Sequence, residues 1–167
     1  AYIKIAPYLS IIDSTRKVNI FPKPYAVIAK DKKLINLNKA DSSNLVSLSG
    51  IGPGFASRII KYRERLGGFV VPEQILEVFG MDSLRFDLFK EDIYTDTAGI
   101  RKIDLNIVSF SDLNKHPYID KQTAASIIKF RDFKGRITDI RELNSFNVIP
   151  EDKIKRIEPY IRISSKE

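Results

Sequence analysis

The stretch INLNKADSSNLVSLSGIGPGFASRIIKYR, residues 35–63, lies without a gap over IDLNIVSFSDLNKHPYIDKQTAASIIKFR, residues 103–131, when moved by 68 positions. Leu37 falls on Leu105, Asn38 on Asn106, Leu45 on Leu113, Ile51 on Ile119 and Ala56 on Ala124. The run Ile59, Ile60, Lys61, Arg63 matches Ile127, Ile128, Lys129, Arg131, with Tyr62 over Phe130. The register continues loosely through Gly67 over Gly135, Ile75 over Leu143 and Ile93 over Ile161. Chance does not give such a match, so the chain contains a duplication and each copy is one structural unit. The IAPYLS of residues 5–10 resembles the IEPYIRIS of residues 157–164, which suggests the closing turn of a further, upstream copy.

Each copy reads as four short helices. Asp41 suits the cap of a helix through Ser47, with Leu45 and Leu48 facing inward. The segment Ser49–Gly54 is a tight turn, and Pro53 suits the first position of a helix running to about Leu66. Phe55, Ile59, Ile60 and Tyr62 recur on it at helical spacing, and Gly67–Gly68 stop it. Pro72 opens a third helix to about Phe79, and Asp82 or Ser83 a fourth to about Phe89. In the second copy Asp120 caps the long helix. Asp139 with Glu142 looks like a capping box, and Pro150 opens the last helix. Residues 11–34, with Phe21-Pro22-Lys23-Pro24, read as an extended linker, and residues 94–102 as a second one.

The turn itself carries chemistry. Gly50 and Gly52 let the backbone bend tightly and approach a partner closely. The turn leads straight into a helix N-terminus, where free N–H groups and the positive dipole end favour an anion. Ile51 plugs into the core and holds the turn rigid. Gly52 and Gly54 are the candidate phosphate donors, Pro53 having no N–H to offer. Arg58, Lys61 and Arg65 follow on the helix, and Lys39 precedes the first helix. Such contacts touch the nucleic-acid backbone and predict sequence-independent, salt-sensitive binding.

The pattern Leu48-Ser-Gly-Ile-Gly-Pro-Gly54 followed by a basic amphipathic helix resembles the helix-hairpin-helix family. With Ile35-Asn-Leu-Asn38, Ile59-Ile-Lys-Tyr-Arg63 and Gly67-Gly-Phe69, residues 35–93 resemble the double helix-hairpin-helix domain of competence DNA-receptor (ComEA-like) proteins. Residues 103–163 fit the same pattern less closely. The resemblance implies an all-α fold of two tandem double helix-hairpin-helix modules, 35–93 and 103–163, joined by an extended linker at 94–102 and preceded at 1–34 by the end of an upstream unit and a further extended linker. It implies binding of double-stranded DNA, and competence, DNA uptake and the cell envelope as the setting. Family hairpins often carry a Lys or Arg where this chain has Gly54 and Phe55.

The other hairpins look degraded in this register. Gly50 falls on Tyr118 and Gly52 on Asp120. A carboxylate there repels phosphate, and a tyrosine denies the backbone its close approach. The turn Phe79-Gly-Met-Asp82 keeps one glycine, and its counterpart Asn147-Val-Ile-Pro150 has none. One intact phosphate device in a duplicated fold keeps a second reading open, a protein-interaction or scaffold module with protein partners whose hairpins are mostly structural.

The net charge is +7. Residues 36–68 hold five basic and two acidic residues, and residues 69–93 two and six, so the first unit has a basic hairpin end and an acidic far end. With no cysteine and a single histidine, His116, the familiar thiolate and His-cluster metal sites and Cys–His catalysis find no residues. His116 sits where the first copy has Leu48, as a partly buried structural residue. No catalytic residue, metal or cofactor site and no membrane-spanning stretch is found, and the expectation is a protein that is not an enzyme.

Overall fold

In the computed structural model, which describes residues 34–164, each copy of the repeat is a module whose two ends pair with each other. Strand β1 (Ile35–Asn36) runs parallel to β2 (Ile93–Tyr94), with Ile35 beside Ile93. In the second module β3 (Ile103–Asp104) runs parallel to β4 (Ile161–Arg162), with Ile103 beside Ile161. These short ladders correct the expectation of an all-α fold. Parallel neighbours need a long connection, and the helices of each module supply it while β-branched residues close the ends. The extended linker expected for 11–34 and the closing turn at 5–10 lie outside the described residues, Leu34 excepted.

Between the strands the helices begin and end where local chemistry dictates. Helix α1 (Ser42–Val46) is capped by Asp41, whose carboxylate accepts the Asn44 N–H at 2.8 Å, while Asn44 Oδ1 accepts the Asp41 N–H. Helix α2 (Pro53–Leu66) starts on proline and ends at Gly67, which has φ 91°. A Cβ on Gly67 would lie 2.8 Å from the Arg101 carbonyl oxygen, so glycine is required there twice over. A 3₁₀ turn (Pro72–Glu77) and α3 (Ser83–Asp87, capped by Asp82) complete module one. Module two repeats this with α4 (Phe110–Leu113), α5 (Lys121–Lys134), α6 (Glu142–Ser145) and α7 (Glu151–Ile157). The capping box expected between Asp139 and Glu142 does not form. Asp139 accepts the Arg141 N–H at 2.8 Å, and Glu142 turns back to Thr138 and Lys134. A neighbouring cation and hydroxyl compete successfully for that carboxylate.

The two cores use the same positions. Leu37, Leu45, Ile59, Ile75 and Phe89 are buried in one module, and Leu105, Leu113, Ile127, Leu143 and Ile157 in the other. Two polar clamps repeat as well. Asn38 donates to the Phe69 carbonyl and accepts its N–H at 2.8 and 2.7 Å, and Asn106 does the same with Ile137 at 2.9 Å each. Arg63 donates to the carbonyls of Leu37 and Ala40, as Arg131 does to those of Leu105 and Val108. Buried main-chain groups that no ladder reaches are thus satisfied by side chains, which explains why Asn and Arg recur in both copies.

The 94–102 connection is not the extended linker expected. Asp96 caps a 3₁₀ turn (Thr97–Gly99), ion-pairs Lys39 at 2.7 Å, and its carbonyl accepts from Asn38. Thr95 donates to the Val70 carbonyl, and Arg101 N–H to that of Gly67. An aspartate ahead of Thr-Ala-Gly offers the backbone a turn, and the turn folds back onto module one.

The modules share a polar and aromatic interface. Glu77 accepts from the hydroxyls of Tyr62 and Tyr118 and from Arg156, while Gln74 donates to the hydroxyls of Tyr118 and Tyr160. Tyr160, a module-two residue, is fully buried against the core of module one. His116 is buried as well and sits 3.0 Å from the Leu66 carbonyl, with the Tyr118 N–H 3.2 Å from its Nδ1. The ring therefore carries its proton on Nε2 and caps one of the free carbonyls at the end of α2. Burial holds this imidazole well below its ordinary value, at about 4.

A folded-state value below the unfolded one means that the unfolded chain binds the proton first as pH falls. Stability is therefore constant above about pH 6.5 and falls by about 2–3 kcal/mol as the pH approaches 4.5. Urea titrations of the wild type are expected to show this loss. His116→Leu, which installs the residue of the matching position Leu48, is expected to remove the slope between pH 6.5 and 4.5.

Candidate nucleic-acid interface

The start of α2 lacks the side-chain cap that closes α1, α3, α4 and α5, as do those of α6 and α7, whose cap positions hold Arg141 and Pro150 and not a glycine. Gly52 takes the N-cap position with extended backbone (φ −95°, ψ 176°) that any residue can adopt, and no side chain caps the helix. Among the described residues nothing lies within 4 Å of where a Cβ on Gly52 or Gly54 would be. Neither backbone conformation nor packing therefore asks for glycine at these two positions. What the glycines provide is open space over the first turn, where the N–H groups have no carbonyl of their own helix to bind. Gly50 is different: its φ of 80° and the closeness of Leu88 and Arg85 require glycine within the fold. Ile51 is buried beneath the turn, and its N–H donates to the Leu48 carbonyl at 3.1 Å.

In module two the same place is filled. Asp120 caps α5 and accepts the Thr123 N–H at 2.7 Å, the counterpart of the Phe55 N–H in α2. Its other oxygen accepts from Lys153 at 2.6 Å. Lys153 first and the Thr123 N–H second hold this carboxyl at about 2, so it is charged at any physiological pH. An external anion is displaced by one built into the chain. Asp82 closes the start of α3 likewise, accepting the Arg85 N–H at 2.7 Å. At the fourth turn Val148 stands where module one has Gly80, and the left-handed conformation is taken one residue earlier, by Asn147 (φ 53°).

The cations sort themselves by position. Gly54, Arg58, Lys61 and Arg65 share one face of α2 by their i, i+4, i+7 spacing, and the three cations on it are exposed. Arg58 lies next to the turn and donates to the Phe79 carbonyl at 3.2 Å. Arg65 sits in the last turn, roughly 20 Å from Gly52 at 1.5 Å per residue, and points at module two, donating to the Lys115 carbonyl. Lys39 is engaged by Asp96 and is not brought to the turn. Sequence reasoning missed the neighbour of the turn. The second hairpin of module one packs against the first, since a Cβ on Gly50 would touch Arg85 and Leu88 and one on Gly80 would touch Arg58 and Phe55. The likeness of Leu48-Ser-Gly-Ile51 to Val78-Phe-Gly-Met81 was the available signal.

Among known proteins, the profile of a family described as "Helix-hairpin-helix motif" matches residues 30–94 and 99–162. The chain is 40% identical over 60 residues to ComE operon protein 1 of Bacillus subtilis, covering 36% of this chain and 29% of that protein. This bears out the likeness to competence proteins. It is 23% identical over 151 residues to "Endonuclease/exonuclease/phosphatase family domain-containing protein 1" of Danio rerio, covering 80% of this chain. A protein of the same name from Xenopus laevis is 23% identical over 154 residues. The chain spans 28% of the length of each of these two. No solved structure matches significantly.

The last two relatives correct the expectation that the protein is not an enzyme. Their names carry an endonuclease/exonuclease/phosphatase domain, and this stretch corresponds to little more than a quarter of each. A stretch without a catalytic constellation does not decide the activity of a protein of that length. Among the described residues no group of His, Cys, Asp or Glu is placed to hold a metal, and no helix is long and apolar enough to cross a membrane.

The contrast between the two long helices is measurable without any ligand. Asp120→Ala removes a cap and is expected to lower the urea unfolding free energy by about 1 kcal/mol. Gly52→Asp adds a cap in open space and is expected to leave stability unchanged or raise it by a few tenths of about 1 kcal/mol.

Proposed function

The chain belongs to the helix-hairpin-helix family, and on that premise we propose that it binds double-stranded DNA without regard to sequence, through the backbone N–H groups of the Gly50–Gly54 hairpin. The observation that carries this reading is the uncapped, unobstructed start of α2 beside three helix starts closed by Asp41, Asp82 and Asp120. A phosphate oxygen there receives the N–H groups of Gly52, Gly54 and Phe55 together with the positive end of a 14-residue helix. Gly50 and Ile51 shape and brace the turn without donating. Arg58 and Lys61 extend a positive stripe away from it, Arg65 continues it toward module two, and Lys39 adds charge through its pair with Asp96 only weakly. Main-chain donors read phosphates and not base edges, hence the lack of sequence preference.

Module two keeps the fold and closes the device, so the number of neutralised phosphates is small. Its exposed Ile107, Phe133 and Phe146 favour a second reading for that module alone, as a surface for a protein partner.

Fluorescence anisotropy with a labelled duplex tests the DNA reading. Neutralising two or three phosphates gives a log–log salt slope of about −2 to −3, so affinity is expected to drop roughly 15- to 60-fold between 50 and 200 mM salt. Gly52→Asp is expected to abolish binding at both. Equal binding by wild type and Gly52→Asp would leave the protein-partner reading in possession of both modules.

A further inference from the structure

Phe79 stands at the tip of the second hairpin with 83% of its surface exposed, and Leu84 and Leu88 nearby are 80% and 59% exposed. So much apolar surface at one corner of a small protein marks an interaction site. The corner is the one that carries the open helix start, because the two hairpins of module one pack against each other at Gly50 and Gly80. Side chains of alternating character cross it. The Arg58 guanidinium lies 5.5 Å from the Phe79 ring centre and 5.1 Å from that of Phe55, and the Arg85 guanidinium lies 4.2 Å from that of Phe55. Arg58 also binds the Phe79 carbonyl. The residue is thus fixed at its base while its ring stays in water. An aromatic ring is not needed to make the turn, since Ser49 precedes the glycine of the first hairpin.

Resting on the reading of Gly50–Gly54 as the phosphate site, we propose that Phe79 is an apolar wedge that packs against bases next to the bound phosphate and favours duplex DNA whose stacking is already interrupted. The Arg58 guanidinium beside the Phe79 ring suits a polyanion, while Arg85, which binds the Gly80 carbonyl, is ion-paired with Asp82 at 3.7 Å. Minor-groove proteins use apolar side chains to enter between base steps. Entry costs least where a nucleotide is missing, and an aromatic ring recovers stacking there with any base.

The experiment compares an intact duplex with one of the same sequence carrying a one-nucleotide gap, by anisotropy at one salt concentration. Wild type is expected to bind the gapped duplex about tenfold tighter, in line with one base–aromatic stack. Phe79→Ser, with an unshifted thermal midpoint, is expected to reduce that preference below about twofold. Gly52→Asp is expected to abolish binding to both duplexes. Equal affinity of the wild type for the two duplexes, or a preference that survives in Phe79→Ser, overturns the wedge even if Gly52→Asp still abolishes binding. A Gly52→Asp variant that binds like wild type overturns the phosphate site instead.

Discussion

The first N–H groups of an α-helix have no carbonyl to bind within that helix, and something else must accept them. In this protein that demand separates two otherwise equivalent modules. Asp120 satisfies it from within, with Lys153 behind it, and α5 is complete. At α2 the chain places Gly52, which satisfies nothing, and clears the space above with Gly54. An incomplete helix start, braced by the buried Ile51 and backed by Arg58 and Lys61, is a standing attraction for an anion. The reading of function depends on that one unfilled valence.

The duplication made the cores legible. Most apolar positions that the 68-residue register paired, Leu37 with Leu105 or Ile59 with Ile127, are buried in both modules, while Ile60 and Ile128 are half-buried in both. Helix starts were legible too, because Asp41 and Asp120 act through bonds to residues three positions away and Pro53 through its own fixed φ. What could not be read was whatever depends on distant neighbours. The ladders β1–β2 and β3–β4 join residues 58 apart, and two residues of strand carry no periodic signal. Lys39 looked free until Asp96 folded back onto it. Asp139 and Glu142 had the spacing of a capping box, and Lys134 took the glutamate.

The interface between modules shows how the second copy could drift from the first and still be held. His116 in place of Leu48 puts a donor into a buried position, and the Leu66 carbonyl at the end of α2 gives it an acceptor. Tyr118 in place of Gly50 closes the turn and hands its hydroxyl to Glu77, with Arg156 stacked 4.2 Å over its ring. Tyr118 thus denies the turn to a phosphate and at the same time attaches module two to module one.

Backbone amide shifts reach the central point most directly. In a ¹⁵N-correlated titration of the chain with a short duplex, the amides of Gly52, Gly54 and Phe55 are expected to move early and to move back on addition of salt. Those of Tyr118–Thr123 are expected to stay in place. Shifts centred on the start of α5, or none at Gly52 and Gly54 while DNA is bound, would contradict the account.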